Sequence, residues 1–412
     1  MSKLKAYKYR LYPTNKQAVR LQEVLDRCRE LYNAALQERR DAYRMVHVSV
    51  GYNQQAAQLP EIKAVRPEYA DIHSQVLQDT LGRVDKAFKA FFRRAKKGEK
   101  PGYPRFQGDG RYDSFTFPQS GFSLTHDNRV CLSKIGTIKV KLPQKKKANP
   151  PQGTLKTCTI KREGSHWYVI FTCEVEQALV YHPSEEAVGI DLGLLHFGTL
   201  SDGSIIENPR HLRVSEQKLK KVQEALSRKK RGSKRRRKAA QLVGKNHRHI
   251  RNQRKDFHHK EARKLVNCYQ TMVFEKLQPA NMSKRPKTKQ DETTGEYLPN
   301  GASAKAGLNK SIRDAGWGQF QQICANKAAW AGSRVLFVNP RYTSQMCSGC
   351  GAIVKKELSE RWHECSCGCS LDRDHNAAIN IKRAGLLLLA RESQARTEPS
   401  DDAHLRSPRL QP

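Results

Sequence analysis

Residues 187–200, AVGIDLGLLHFGTL, place an aspartate inside an otherwise apolar run that belongs in the middle of a sheet. A carboxylate buried there loses its hydration and persists only with a cation or a hydrogen-bond partner. The run continues into SDGSII, so a buried strand is followed by two strands joined by a Ser-Asp-Gly turn. The same device recurs downstream. TMVFEKL reads as a short buried strand ending in Glu275, and Asp374 opens the helical stretch HNAAINIKRA.

Asp191, Glu275 and Asp374 can meet at one site if the two strands are neighbours in a sheet. Oxygen ligands of this kind suit Mg2+ or Mn2+. Two such ions roughly 4 Å apart activate water and stabilise a leaving oxygen in phosphodiester hydrolysis. Of Asp372 and Asp374, two apart at the start of a helix, one is expected to cap the helix or pair with Arg373 while the other faces the metal.

The surroundings of these acids are basic. Lys and Arg number 76 against 40 Asp and Glu, a formal charge of +36, which makes a polyanion the expected partner. The densest run, SRKKRGSKRRRKAA, marks Lys229, Lys230, Arg231, Lys234, Arg235, Arg236 and Arg237 as expected phosphate contacts within a long polar helical region, 214–266. No stretch approaches the ~20 apolar residues of a membrane span, and MSKLKAYKYRLYP lacks a secretory pattern. A cytoplasmic protein with no membrane partner is expected.

Five of the 11 cysteines fall between Cys347 and Cys369. Cys347 and Cys350 form a C-x-x-C pair, and CSCGC supplies Cys365, Cys367 and Cys369. Paired cysteines on short loops suit a closed, structural, tetrahedral zinc site. Its fourth ligand is left open by spacing: Cys367 precedes Gly368, as a knuckle ligand often does, and Cys369 is the alternative.

Along the chain, YKYRLYPT alternates like a strand, and Thr14 with Gln17 forms a capping box. Leu21, Val24, Leu25, Cys28, Leu31, Tyr32 and Ala35 then follow at helical spacing. A second helix from Ser74 carries Leu77, Leu81, Val84, Phe88, Phe91 and Phe92 on one stripe, expected as core. Gly98, Pro101, Gly102 and Pro104 break it, and YDSFTFPQ, RVCLSKIGTIKVKL, TLKTCTIKRE and HWYVIFTCEVE read as strands. Residues 1 to about 180 thus form a small β-barrel with a helical insertion, and Pro183 marks a boundary to an α/β part. Residues 283–310 read as a mobile loop, SIRDAGWGQFQQICANKAAWAG as one helix, SRVLFVNP as a strand, and 386–412 as a disordered tail.

Taken in order, KAYKYRLYPT, GIDLG, VFEKL, DAGWGQF, YTSQMCSGCG and SLDRDHNAAINI resemble TnpB, the RNA-guided nuclease of bacterial and archaeal insertion sequences and a relative of type V CRISPR effectors. The resemblance implies an α+β multidomain fold. A wedge-like β-barrel at 1–182 would carry a helical recognition insertion at about 14–105. A RuvC-like, RNase H-like domain at 183–385 would contain a zinc ribbon at about 342–371. Asp191, Glu275 and Asp374 would be its catalytic acids. It further implies a guide RNA from the transposon end and double-stranded target DNA cut beside a short flanking motif. A transposase that joins strands itself, or a guided repressor that does not cut, are the competing readings.

Overall fold

A computed structural model describes residues 2–142, 151–176, 186–357 and 360–397. The chain divides into two compact units, Met1–Gln177 and Ala178–Pro412. The boundary expected at Pro183 lies outside the described residues.

In the first unit, β1 (Ser2–Tyr12) precedes four helices: α1 (Asn15–Val46), α2 (Tyr52–Ala57), α3 (Leu59–Val65) and α4 (Ser74–Lys96). Six strands follow: β2 (Ser114–Phe117), β3 (Phe122–Leu124), β4 (Arg129–Leu132), β5 (Gly136–Lys141), β6 (Thr154–Glu163) and β7 (His166–Glu176). They form one antiparallel sheet in the order β2-β6-β7-β1-β5-β4-β3. Alternation sets its inner face: Tyr7, Tyr9 and Leu11 of β1 and Trp167, Val169, Phe171 and Cys173 of β7 all turn into the core.

The helices are inserted between β1 and β2, as expected. Thr14 accepts from the Gln17 N–H, and Gln17 returns the bond to the Thr14 N–H at 3.0 Å, closing the capping box. Every apolar residue expected on the α1 face is buried. On α4 the buried set ends at Val84. Phe88 is half-buried and packs against the edge of the core, Phe91 is half-buried and Phe92 is 61% exposed, so the stripe leaves the core toward the end of α4. Helical periodicity fixes which side is apolar, but not how far along the helix a neighbouring layer covers it.

The second unit opens with β8 (Ala187–Asp191), β9 (His196–Leu200) and β10 (Ile205–Glu207), then α5 (His211–Ser227), α6 (Lys234–Cys268) and β11 (Thr271–Glu275). Short elements α7 (Pro279–Met282), β12 (Lys289–Gln290) and β13 (Tyr297–Leu298) lead to α8 (Ala302–Ala315), α9 (Trp317–Ala331) and β14 (Arg334–Val338). The chain ends with β15 (Trp362–Glu364), β16 (Ser370–Asp372) and α10 (Arg373–Thr397). The central sheet runs β10-β9-β8-β11-β14. The first three strands are an antiparallel meander, whereas β8, β11 and β14 are parallel. Val188, Ile190, Met272, Val273 and Phe274 are at most 1% exposed, which explains their unbroken apolar runs.

Several expectations are corrected. The polar helical region is two helices that pack on each other, broken near Gly232, whose φ of 83° suits a residue without Cβ. Residues 283–310 hold the β12–β13 hairpin and most of α8, because alanines from 302 onward support a helix despite the polar composition. The expected single helix splits at Gly316, where φ is 66° and its N–H still caps α8 on Ile312 O. Residues 386–397, expected in a disordered tail, continue α10; leucines 386–389 lack period but are strong helix formers. Residues 398–412 lie outside the described residues.

Candidate functional site

Phe274 and Ile190 are register partners on parallel strands, so the next residues, Glu275 and Asp191, emerge side by side at the same end of the sheet. Helix α10 brings the third acid. It crosses β8 so closely that a Cβ on Gly189 would lie 2.0 Å from Ala378 O. A Cβ on Gly193 would lie 3.9 Å from Asp374 Oδ2. The topology therefore gathers at one strand end the three acids that the sequence reading singled out.

Burial pushes the Asp191 carboxyl well above the usual carboxylate range, reinforced by the charges of Glu275 and Asp374. Glu275 is raised by burial, against a bond from Thr343 Oγ1 that favours its charged form. Asp374 is raised by burial and by Asp372, with Arg361 and Arg373 opposing. Acids that resist ionisation when alone are a donor set for a hard cation. They are spread more widely than the cysteines, since among the described residues only cysteine and histidine groups have all ligand atoms within 4.8 Å of one another.

Asp372 does what was expected of it. Its Oδ1 accepts from the N–H groups of Asp374, at 2.8 Å, and His375, at 3.1 Å, capping α10. Arg373 instead donates to the carbonyls of Glu357 and Glu360.

Among the described residues, two groups of cysteine and histidine ligands are metal-sized. Cys347, Cys350, Cys365 and Cys367 form one, and Cys347, His363 and Cys369 the other. In the first, Cys347 Sγ lies 3.6 Å from Cys367 Sγ and Cys350 Sγ 3.6 Å from Cys365 Sγ. A tetrahedron with metal–sulfur bonds of about 2.3 Å has edges of about 3.8 Å, so four thiolates fit. Cys369 Sγ lies instead 3.8 Å from Ser348 Oγ. Burial works against ionising the Cys347 thiol, yet the N–H groups of Cys350 and Gly349 and the His363 side chain hold it down at about 5. Lys356 Nζ lies 2.5 Å from His363 Nδ1.

The sequence reading missed the residues that join these two centres. Asn376, wholly buried, accepts from Ser348 N and donates to Met346 O, both at 2.8 Å. Asn380 donates to Thr343 O at 2.9 Å and also to Met346 O. Thr343 in turn holds Glu275, so one face of α10 grips both the cysteine knuckle and the loop that orients an acid. Their i, i+4 spacing on a helix beside apolar alanines was the available signal. Arg361 was also missed; it lines a cleft of about 520 Å3 with Arg210 and Arg213.

Of the basic run, Lys229, Lys230, Arg231, Lys234, Arg235 and Arg237 are exposed at the α5–α6 turn. Arg236 is partly engaged, donating to Leu226 O at 3.0 Å and Lys229 O at 2.9 Å, where it closes the end of α5.

Comparison with known proteins places this architecture among insertion-sequence proteins. A family model described as "Probable transposase" matches residues 170–286, and one described as "Cas12f1-like, TNB domain" matches 317–381. A third, "Helix-turn-helix domain", matches 1–45, although here those residues are β1 and the single helix α1. The chain is 32% identical over 397 residues to "Putative RNA-guided DNA endonuclease InsQ" of Escherichia coli K12, covering 95% of this chain and 94% of that one. A relative from Streptomyces pristinaespiralis with the same general description is 33% identical over 391 residues, covering 93% and 89%. The chain belongs to the TnpB family. Among solved structures, the Cas12f1-sgRNA-target DNA complex aligns with 92% of this chain and 99% of that one at 13% identity and a TM-score of 0.49. No helix among the described residues is long and apolar enough to cross a membrane.

Proposed function

We propose that this protein is an RNA-guided, divalent-metal-dependent DNA endonuclease encoded by an insertion sequence, and that Asp191, Glu275 and Asp374 are its catalytic acids. The observation that carries this reading is the side-by-side emergence of Asp191 and Glu275 from parallel strands with Asp374 delivered against them by α10. The relatives' names and the family membership support the RNA-guided part. The five-stranded order, a meander joined to two parallel strands, supports reading this unit as an RNase H-like, RuvC-type domain. The first unit is read as the wedge-like half, its seven-stranded sheet corresponding to the barrel and α1–α4 to the recognition insertion.

Asp191, Glu275 and Asp374 would hold Mg2+ or Mn2+, which supplies positive charge and Lewis acidity for phosphodiester hydrolysis. Thr343 orients the Glu275 carboxylate by donating to Oε1. Arg361, close enough to favour Asp374 ionised, sits with Arg210 and Arg213 where a phosphate backbone could be drawn toward the acids. Lys229, Lys230, Arg231, Lys234, Arg235 and Arg237 are proposed nucleic-acid contacts. Four cations in the first turn of α6, Arg236 included, oppose the helix dipole, a cost that bound phosphate offsets. Zinc held by Cys347, Cys350, Cys365 and Cys367 would be structural. The partners are a guide RNA from the transposon end and duplex target DNA bearing a short flanking motif.

The test is cleavage of a target plasmid by the RNA complex with Mg2+. Cleavage that disappears in Asp191→Ala while RNA and target binding persist supports the reading. Target binding without cleavage by the unaltered protein would make it a guided repressor, and a strand-transfer product would make it a transposase.

A further inference from the structure

The end of α4 and the segment after it expose an aromatic cluster. Phe91 lies 5.2 Å from Phe92 and 5.4 Å from Tyr103, and Phe88 lies 5.7 Å from Tyr103, measured between ring centroids. Phe92 is 61% exposed, and Tyr103 and Phe106 are each 45% exposed. Large apolar side chains gathered on a surface mark a place that something covers.

The charge around them says what kind of partner. Across residues 86–106, Lys and Arg outnumber the single acid, Glu99, eight to one. Arg40, exposed, stands 5.5 Å from the centroid of Phe106. Aromatic faces interleaved with cations bind unpaired nucleotides: rings stack on bases while the cations track the backbone. A duplex hides its base faces, so the stacked segment must be single-stranded.

The segment is also held in place. Asn33 on α1 donates to Gln107 O at 3.0 Å and accepts from Gln107 N at 2.8 Å, anchoring its far end, while Pro101 and Pro104 stiffen its course. Rings fixed before binding lose little entropy on stacking.

We propose that Phe92, Tyr103 and Phe106 form a stacking platform for unpaired nucleotides of the guide RNA. This rests on the RNA-guided reading above. RNA, rather than a DNA strand, is the occupant because such a surface needs a resident cover, whereas target DNA is met only transiently.

The experiment labels RNA with 4-thiouridine in the expressing cells, crosslinks the purified complex with light and maps the joined peptides. A parallel arm supplies target DNA carrying 4-thiothymidine. Crosslinks from RNA to residues 91–106 support the platform. RNA crosslinks found only elsewhere, or a DNA crosslink at this segment, overturn it.

Alanine at Phe92, Tyr103 and Phe106 together should weaken binding of a roughly 12-nucleotide oligouridylate about 10- to 100-fold, with the slope against salt unchanged because the cations remain. Far-UV circular dichroism should not move, since these rings lie outside the buried core. If that variant binds as the unaltered protein does and plasmid cleavage persists, the platform falls and the nuclease reading stands. If the unaltered protein carries no RNA, both fall.

Discussion

Thr343 Oγ1 donates to Glu275 Oε1 at 2.5 Å, from a loop whose own carbonyl is held by Asn380 of α10. The bond is made to the charged form of the carboxylate and keeps Glu275 more acidic than its burial alone would allow. Thr343→Val keeps the shape and removes the donor. Without that donor the Glu275 carboxyl should rise further above its ordinary range. In a pH–rate profile of Mg2+-dependent cleavage, the acidic limb should move to higher pH. An unmoved limb would show that Glu275 does not depend on Thr343.

The acids should destabilise the metal-free fold. Asp191, Glu275 and Asp374 are all raised in the folded chain, so folding is favoured while they are protonated. That contribution is fully present below about pH 4, where the unfolded chain also holds its protons. It is lost as pH climbs through the folded values. With EDTA present, Asp191→Asn should therefore melt higher than the unaltered protein at pH 7, and the gap should close toward pH 4. Adding Mg2+ should stabilise the unaltered protein most at high pH and Asp191→Asn hardly at all.

Cysteine replacements separate the two candidate ligand sets. Cys350→Ser and Cys367→Ser should each lose zinc from a protein that otherwise carries about one equivalent, whereas Cys369→Ser should retain it. Elemental analysis decides this. Retention in Cys367→Ser with loss in Cys369→Ser would assign the site to Cys347, His363 and Cys369 instead.

At Gly189 a methyl group would collide with the backbone of α10. Gly189→Ala should lower the melting temperature by several degrees, in line with about 1–3 kcal/mol of overpacking, and should reduce cleavage at least tenfold by displacing Asp374. Thermal melts and plasmid cleavage measured side by side would show it. Full activity with normal stability would mean that α10 can shift without moving its acid.

Much of the site was legible because burial leaves a plain mark. Two apolar runs that each end in an acid pointed to two buried strands able to bring those acids together, and Asp191 and Glu275 emerge side by side at one end of the sheet. The capping box at Thr14 was equally readable, being a local motif that needs no tertiary partner. What escaped depends on neighbours distant in sequence. The stripe through Phe88 and Phe92 has core periodicity, but whether another layer covers it is decided elsewhere. Gly316 looks like any glycine within a helical pattern until the chain has to turn there. The cysteine spacing left Cys367 and Cys369 open, and the fold brings both within reach of Cys347, Cys367 together with Cys350 and Cys365 and Cys369 together with His363. Asn376 and Asn380 gave only a helical spacing, since their partners lie some 30 residues away.

The close crossing of α10 over β8 carries a warning for anyone surveying this chain by saturation mutagenesis. Gly189 has no functional group, binds nothing and transfers no proton, yet every replacement adds atoms where a carbonyl already sits. In an activity screen it should be as intolerant as the acids themselves, so a map of essential positions would report spatial exclusion and chemistry in the same colour.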